Sequence, residues 1–468
     1  MWLGFLAFSW RSPGSGSDAR GSEVFSRTGT RSHPSRFAPD FFTSRECRIL
    51  PRFGTNSLIS RFGSSASEPW RCCFLYKELG MSEIMIFVEN EWSDFRRFVG
   101  QHTDLRITSA QACYLVEFLK NKPVELIRNI GPVRKSVAVV GQAVVPLVVN
   151  DGNANDCYLI SPYVHYIAYM KHEVKKMRPR WTSWTIRACL TALGFLARPL
   201  QFDKSVSINN WFFTTSMLNN LNDEEIRGLK MLLRKHFPDH AWVYREFKNS
   251  DTSLAEALSK NGFRRLVHRP IFEWDPRGYR EKRLKRKIRA QIKHDLSLTE
   301  GGPYSVRHAK KGTSTELAAR FYEDLYIRKH SRFNAHFTSK FFDTVLSTGI
   351  NRLSFLELEG RTVGFLTTCP DSDRVIASLV GYDQSIDQPR ASPYSAAIGE
   401  VFRQSLKSEK TLFLSTGVAA FKKRRGAHES IEYEAFDVSH LGLFRRLPWY
   451  GIQKFLGALI GSMDTEAI

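Results

Sequence analysis

Three β-type runs at hairpin spacing constrain this chain more than anything else in it: Arg352 to Leu358, Thr362 to Thr368 and Arg374 to Tyr382. Each is 7–9 residues of alternating or continuous apolar character, and Glu359-Gly360 supplies a tight turn between the first two. Such runs pair antiparallel. Ser392-Pro393 then opens a helix predicted to reach about Leu406, with serine as cap and proline where its missing amide is harmless. A strand Thr411 to Leu414, a short helix Ala419 to Arg425 and a strand Ile431 to Val438 complete the block. Before the three runs come a strand Tyr304 to His308 and a helix opened by Thr313-Ser-Thr-Glu316, read as a capping box, with Leu317, Phe321 and Leu325 on its buried face. A second helix spans Thr338 to Leu346.

The region from about 105 to 275 also alternates helices and strands. An apolar helix at Ala110 to Leu119 precedes strand-like runs at Val124 to Ile130, Ser136 to Val140, Val144 to Val149 and Cys157 to Ile160. Helices at 163 to 176 and 184 to 197, a strand Ser207 to Phe213, a helix 223 to 236, a strand from Trp242 to Phe247, a helix 252 to 260 and a strand near 265 to 273 follow. The expectation is therefore an α/β (layered α+β) chain: an N-terminal extension 1–80, a domain 81–275, a basic connector helix 276–300, a second domain 301–440 and an amphipathic C-terminal helix 441–468.

Composition narrows the class. Residues 1–80 carry eleven basic and six acidic residues and fourteen serines without sustained periodicity, and read as disordered. Met81 reads more like a protein start than Met1 does. The 68 basic and 47 acidic residues leave a net charge of +21, which favours phosphates, acidic carriers or anionic lipid as partners. Seven scattered cysteines write neither a disulfide framework nor a zinc site. The apolar stretch from Thr182 to Leu200 is interrupted by Arg187 and Arg198, so a core helix is expected there, and no membrane span. Residues 277–293 hold nine basic side chains against Glu281 alone, with Leu284, Ile288 and Ile292 at helical spacing. That helix suits RNA, an acidic carrier or an anionic membrane, and equally a solubilising linker.

The order strand, two helices, three strands, helix, strand, helix, strand resembles the GNAT acyltransferase fold. Ser415-Thr-Gly417-Val-Ala-Ala-Phe421-Lys422-Lys-Arg-Arg425-Gly426, followed by Ile431-Glu-Tyr433, resembles the BioF2-like and FemAB-like branch in particular. The resemblance implies two GNAT-like mixed-sheet domains in tandem, with a gap between the fourth and fifth strands of the second that accepts an activated acyl group. It implies Lys422, Tyr382, Asp383 and Tyr433 as catalytic candidates, and Arg390, Ser392, Gly417 and Arg425 as donor-binding candidates. The helix amino terminus at Ser392 offers free amides to an anion, and Lys422 a cation beside a developing oxyanion. Gln388-Pro-Arg-Ala-Ser-Pro393 contains no glycine to let the backbone approach a pyrophosphate, so a carrier-protein thioester or an aminoacyl ester stands beside acyl-CoA as donor.

Other strand-end residues are weaker candidates. Glu357 and Glu432 are carboxylates on strands, while Asn209-Asn210-Trp211 and Ser161 to Tyr166, including His165, fit either a pocket or a satisfied core. The expected function is N-acyl transfer, from acyl-CoA, an acyl-carrier thioester or an aminoacyl ester to an amine. No metal and no permanently bound cofactor are needed. The location is read as cytoplasmic, with peripheral membrane contact as an option. The alternative is an inactive GNAT-like module that binds RNA or anionic membrane through its basic surface.

Overall fold

The computed structural model describes residues 84–464, apart from 154–155, 176–179, 218, 249, 371–373 and 387–390. Twelve strands form one mixed sheet: β1 (Ile84–Val88), β2 (Arg134–Val140), β3 (Ala143–Asp151), β4 (Lys204–Ile208), β5 (Ala241–Lys248), β6 (Arg264–Trp274), β7 (Tyr304–His308), β8 (Arg352–Leu358), β9 (Arg361–Pro370), β10 (Arg374–Tyr382), β11 (Thr411–Phe413) and β12 (His428–Asp437). Their order across the sheet is β1-β2-β3-β4-β5-β12-β6-β11-β10-β9-β8-β7.

That order repeats itself from the two edges inward. Four antiparallel strands lead to a parallel pair in each half, β4 with β5 and β10 with β11. At the centre the halves exchange strands. β12, from the end of the chain, lies between β5 and β6, and β6 lies between β12 and β11. Each half therefore completes the other's sheet.

Alternation along the strands buries both faces. Phe355, Phe365, Leu379 and Phe413 point to one side, against the helices Trp92–Gln101, Ser109–Lys120, Glu316–Tyr322 and Ser339–Thr348. Their neighbours Leu356, Leu366, Val380 and Leu412 point to the other, against Pro393–Ser408 and Arg286–Ser297. Trp242 and Tyr244 face the helices Asp223–His236 and Thr252–Lys260. Val243 between them faces Arg180–Ala197 and the C-terminal helix Leu443–Asp464, which docks through Trp449, Ile452 and Leu456. No described helix is long and apolar enough to cross a membrane.

The second half has the expected elements in the expected order. Glu359 and Gly360 both adopt positive φ, 51° and 77°, as a two-residue hairpin of this twist requires. The Ser392 hydroxyl accepts from the Ser395 amide at 3.2 Å, with Pro393 in the first turn. Several local expectations need correction. The capping box at Thr313 does not form: the Thr313 hydroxyl accepts from the Lys310 amide, and the helix starts at Glu316, two residues later than a box requires. Leu317 is 42% exposed, so the buried face is carried by Ala318, Phe321, Tyr322 and Leu325. Val124 to Ile130 is a short helix (Pro123–Leu126) ending in a bridge from Ile127 to Phe337, not a strand, because Pro123 sits in its first turn.

Cys157 to Ile160 is a turn, and β4 ends at Ile208, where Asn209 and Phe212 take left-handed conformations at φ 61° and 60°. The single helix expected over 277–293 is two, Pro276–Arg280 and Arg286–Ser297, broken where Lys282 takes φ 58°. The second of these is structural. Asp295 is fully buried, pairs with both sides of the Arg425 guanidinium, and has its carbonyl against Gly399.

Candidate functional site

The parallel pair β10–β11 is in register over three residues only, Arg374–Thr411, Val375–Leu412 and Ile376–Phe413. Beyond them the strands part. β11 turns away through Leu414 and Ser415, which stay hydrogen-bonded to Phe272 of β6, while β10 runs on to Tyr382, paired with β9 alone. A bulge at Ser378 marks the point of departure, and there the Leu379 amide donates to the Thr367 hydroxyl at 3.0 Å. Bulges of this kind re-aim backbone groups beside functional sites.

The gap is lined and partly filled. Thr214 reaches across it to the Ser378 carbonyl at 3.4 Å, and Thr215 to the Ser415 hydroxyl at 3.3 Å. On the opposite face Tyr382, Tyr394 and Phe421 form a chain of rings with centroid spacings of 6.1 and 4.8 Å. Tyr326 enters from a π-helical segment, Glu323–His330, with its hydroxyl near the Val380 backbone. Burial, then neighbouring Tyr382, push that hydroxyl up to about 12 against the opposing effect of the Val380 backbone. It is a protonated donor at neutral pH.

Past the carboxyl end of β10, between the start of β9 and the helix Glu316–Tyr322, lies a cavity of about 730 Å³, a size typical of small-molecule sites. Arg320, Arg328, Lys329 and Arg361 line it together with Asp324 and Asp383. Arg361 is 2.6 Å from Asp383 and Arg328 is 3.0 Å from Asp324, whereas Lys329 makes no ion pair among the described residues. The cavity is thus positive overall and suited to an anionic group.

The residues singled out from the sequence fall in different places. Tyr382 lies at the gap, half-buried, its hydroxyl pushed up by burial. Asp383 lines the cavity, and bonds from the Ser385 hydroxyl and amide, together with Arg361, hold its carboxyl below the usual range. It stays a carboxylate. Lys422 stands on the far lip of the gap but is 2% exposed, with its ammonium donating to the carbonyls of Leu414, Ser415 and Thr416 at 2.7, 3.2 and 2.8 Å. Burial, then Arg269, lower it to about 7. Gly417, at φ 84°, turns the loop that Lys422 holds.

Arg425 lies 3.2 Å from the Phe421 ring and grips Asp295. Ser392 caps its helix, and Arg390 lies outside the described residues. Tyr433 is on β12, separated from β10 by β6 and β11, roughly 14 Å at the usual strand spacing. Its ring meets Phe247 and Arg265 instead. Glu357 pairs with Arg307 across the β7–β8 edge. Asn209 and Asn210 are satisfied in the core: Asn209 donates to the Met217 carbonyl, and Asn210 to that of Leu159. Tyr326 escaped the sequence reading. Its exposure to the gap depends on a π-register that no residue pattern announces.

A second polar cluster sits where the halves exchange strands. Glu246 of β5, His268 of β6 and Glu432 of β12 bring one possible ligand atom each within 4.8 Å of one another, the arrangement among the described residues that a metal ion would need. Cations already occupy it. Arg269 donates to Glu432 at 2.6 Å and lies 3.6 Å from Glu246, while Arg245 donates to Glu246 and lies 3.5 Å from Glu434. Against the cost of burial, Arg245 and Arg269 hold the Glu246 carboxyl low, whereas burial raises that of Glu432. His165, completely buried, stacks on His268 at 4.6 Å, and burial drives it well down, so it stays neutral.

No family model and no curated protein matches the chain. Among solved structures, FemX is 10% identical over 75% of this chain and 96% of its own, with a TM-score of 0.43. A tandem GNAT protein from the clavulanic acid biosynthesis pathway is 11% identical over 76% and 98%, at 0.35. L-PGS from Bacillus licheniformis is 14% identical over 49% and 76%, at 0.37. All three scores lie below 0.5, and the architecture described above rests on strand order and register.

Proposed function

We propose that the chain is an N-acyltransferase built from two diverged GNAT-like halves, moving an acyl or aminoacyl group from an activated donor to an amine. The observation that carries this is the parting of β10 from β11 after Ile376 and Phe413, with the Tyr326 hydroxyl close to the Val380 amide at the freed strand edge. The donor carbonyl takes the position of the Tyr326 hydroxyl on that amide, which polarises it. The amine nitrogen attacks, the C–N bond forms and the bond to the leaving sulfur or oxygen breaks. The acceptor attacks as the free amine, having released one proton to solvent; Tyr326, held protonated, gives its proton to the departing atom, and the proton that the nitrogen carries once the C–N bond has formed passes through water and restores the phenol.

Asp383 stays ionised throughout and attracts a cationic acceptor. Arg320, Arg328 and Lys329 suit an anionic donor such as a phosphopantetheine or nucleotide ester. Lys422 acts indirectly, by fixing the lip formed by Leu414 to Gly417. Acyl-CoA, acyl-carrier protein and aminoacyl-tRNA, offered separately to the full chain with a mixed pool of amines, test the reading through thermal shift and release of free donor. A donor that raises the melting temperature and is consumed, with turnover lost in Tyr326→Phe, supports it. Failure of all three donor classes to bind refutes it.

The alternative, a module that binds RNA through residues 277–293, is weakened by the structural use of the helix that segment enters, Arg286–Ser297: Ile292 and Asp295 are buried in it and only its outer cations face water.

A further inference from the structure

The helix Arg180–Ala197 is amphipathic in an unusual sense, because both of its faces are apolar. Ser183, Ile186, Leu190, Gly194 and Ala197 are buried against the core. On the opposite side Trp181, Trp184 and Phe195 are 67%, 70% and 81% exposed. At 100° per residue these three fall within an arc of roughly 60°, along a helix about 27 Å long. Leu196, 56% exposed, flanks them. A water-facing helix face is ordinarily polar, and singly scattered apolar residues are common, but two tryptophans and a phenylalanine aligned outward mark an interaction surface.

Charge identifies the partner. Between Glu173 and Asp203 the sequence contains six lysines and arginines and no acidic residue. The C-terminal helix lies alongside, its Gly451 against Leu193. It too leaves apolar residues outward at its start, with Leu443, Phe444 and Leu447 50–71% exposed. Between Asp437 and Asp464 it carries Arg445, Arg446 and Lys454 and again no acid. Aromatic side chains on an acid-free, cationic pair of helices are complementary to a bilayer bearing anionic headgroups: indole rings seat at the headgroup level while arginines meet phosphate. A protein partner would have to present an apolar surface ringed by acids, and a second copy of this chain would bring cations against cations.

We infer that the outer face of Arg180–Ala197, with the start of the C-terminal helix beside it, is a docking surface for an anionic phospholipid membrane, with Trp181, Trp184 and Phe195 inserted at the interface. This is independent of the transfer chemistry, and it uses a different surface from residues 277–293.

The test is co-sedimentation of the full chain with vesicles of phosphatidylcholine alone or with one third phosphatidylglycerol, at 0.1 M salt. Binding to the anionic vesicles at least tenfold stronger than to the zwitterionic ones is expected. In the variant Trp181→Ser, Trp184→Ser, Phe195→Ser that binding should fall at least tenfold with the melting temperature unchanged, since all three side chains face outward. Brominated lipid should quench the tryptophan emission of the wild type, and less so that of Trp181→Phe, Trp184→Phe, which keeps aromatic bulk and binding.

Three results overturn the inference: equal or absent binding to both vesicle types, full binding by the triple serine variant, or loss of binding on Lys285→Glu, Lys287→Glu instead. A dimer that the serine substitutions dissociate, found by sedimentation velocity without vesicle binding, would assign the face to a second copy and likewise overturn it.

Discussion

Replacing Lys422 by methionine separates a buried clamp from a surface cation. The ammonium donates to three carbonyls at the end of β11. The Ser415 carbonyl also accepts from the Phe272 amide and keeps that partner, so the loss falls mainly on Leu414 and Thr416. An orphaned buried carbonyl costs about 1–3 kcal/mol, and methionine recovers part of this by removing a charge from the interior. The expected net loss is about 1–4 kcal/mol. For a body of about 380 residues, with an unfolding entropy near 2.1 cal/mol/K per residue, this lowers the melting temperature by roughly 1–5 °C.

The loss must also depend on pH. Lys422 titrates near 7 when folded, against an ordinary 10.5, so between those values the unfolded chain binds more protons and wild-type stability rises with pH. The ceiling, at 1.36 kcal/mol per tenfold change in proton affinity, is about 5 kcal/mol, and the three carbonyls reduce it because they favour the ammonium. Chemical denaturation of both proteins at pH 6, 7.5 and 9 measures this. The gap between wild type and Lys422→Met should widen as pH rises. A gap that is constant from pH 6 to 9 would refute the argument that burial dominates the charge state of this lysine.

Tyr326→Phe should leave donor binding within twofold and lower single-turnover transfer by about 10²–10⁴, the usual contribution of a positioned acid; an unchanged rate removes Tyr326 from the chemistry. Asp295→Ala strands the Arg425 guanidinium, 5% exposed, and should cost about 3–5 kcal/mol in urea unfolding, whereas Asp295→Ala with Arg425→Met should recover most of it. Equal losses in the single and double variants would mean that the pair acts only as packing. Gly399→Ala sets a methyl 2.2 Å from the Asp295 carbonyl, where backbone must yield, so a loss of about 1–3 kcal/mol or more is expected by the same measurement.

Local signals in the sequence were read best where one residue type has one conformational use. Glu359-Gly360 between two apolar runs and Ser392-Pro393 before a third each have a backbone conformation written into their side chains, and both formed as expected. Signals that compete with a neighbour were misread. Thr313 and Thr315 both precede a helical run, and the choice between them is made by Asp343, which takes the Thr315 hydroxyl at 2.7 Å from another helix. Lys422 matches a motif and reads as a cation facing a developing oxyanion, because nothing in Phe421-Lys422-Lys423 indicates that this lysine turns inward onto the carbonyls of its own loop. The exchange of β6 and β12 was invisible for a more general reason. Both strands read as ordinary buried strands of their own half, and pairing between residues 155 to 172 apart in sequence has no local trace.

The exchanged strands and the buried ions at the centre of the sheet explain one another. A strand placed between two foreign neighbours has little but its own side chains to fix its register, since every backbone pairing along an antiparallel ladder is nearly equivalent after a two-residue slip. Arg245 and Glu246 come from β5, His268 and Arg269 from β6, and Glu432 and Glu434 from β12. In the observed register each carboxylate meets a guanidinium, and His268 stands 3.5 Å from Glu246 and 3.3 Å from Glu434. A slip of β12 by two residues would carry Glu432 and Glu434 about 6.8 Å along the strand and leave two buried arginines to share Glu246 alone, at a cost of several kcal/mol. An apolar centre would be as stable in the correct register, but would tolerate the wrong one. Because the cluster forms only when strands from both halves are present, the two halves should fold as one cooperative unit, and each alone would expose unpaired charges along its central edge.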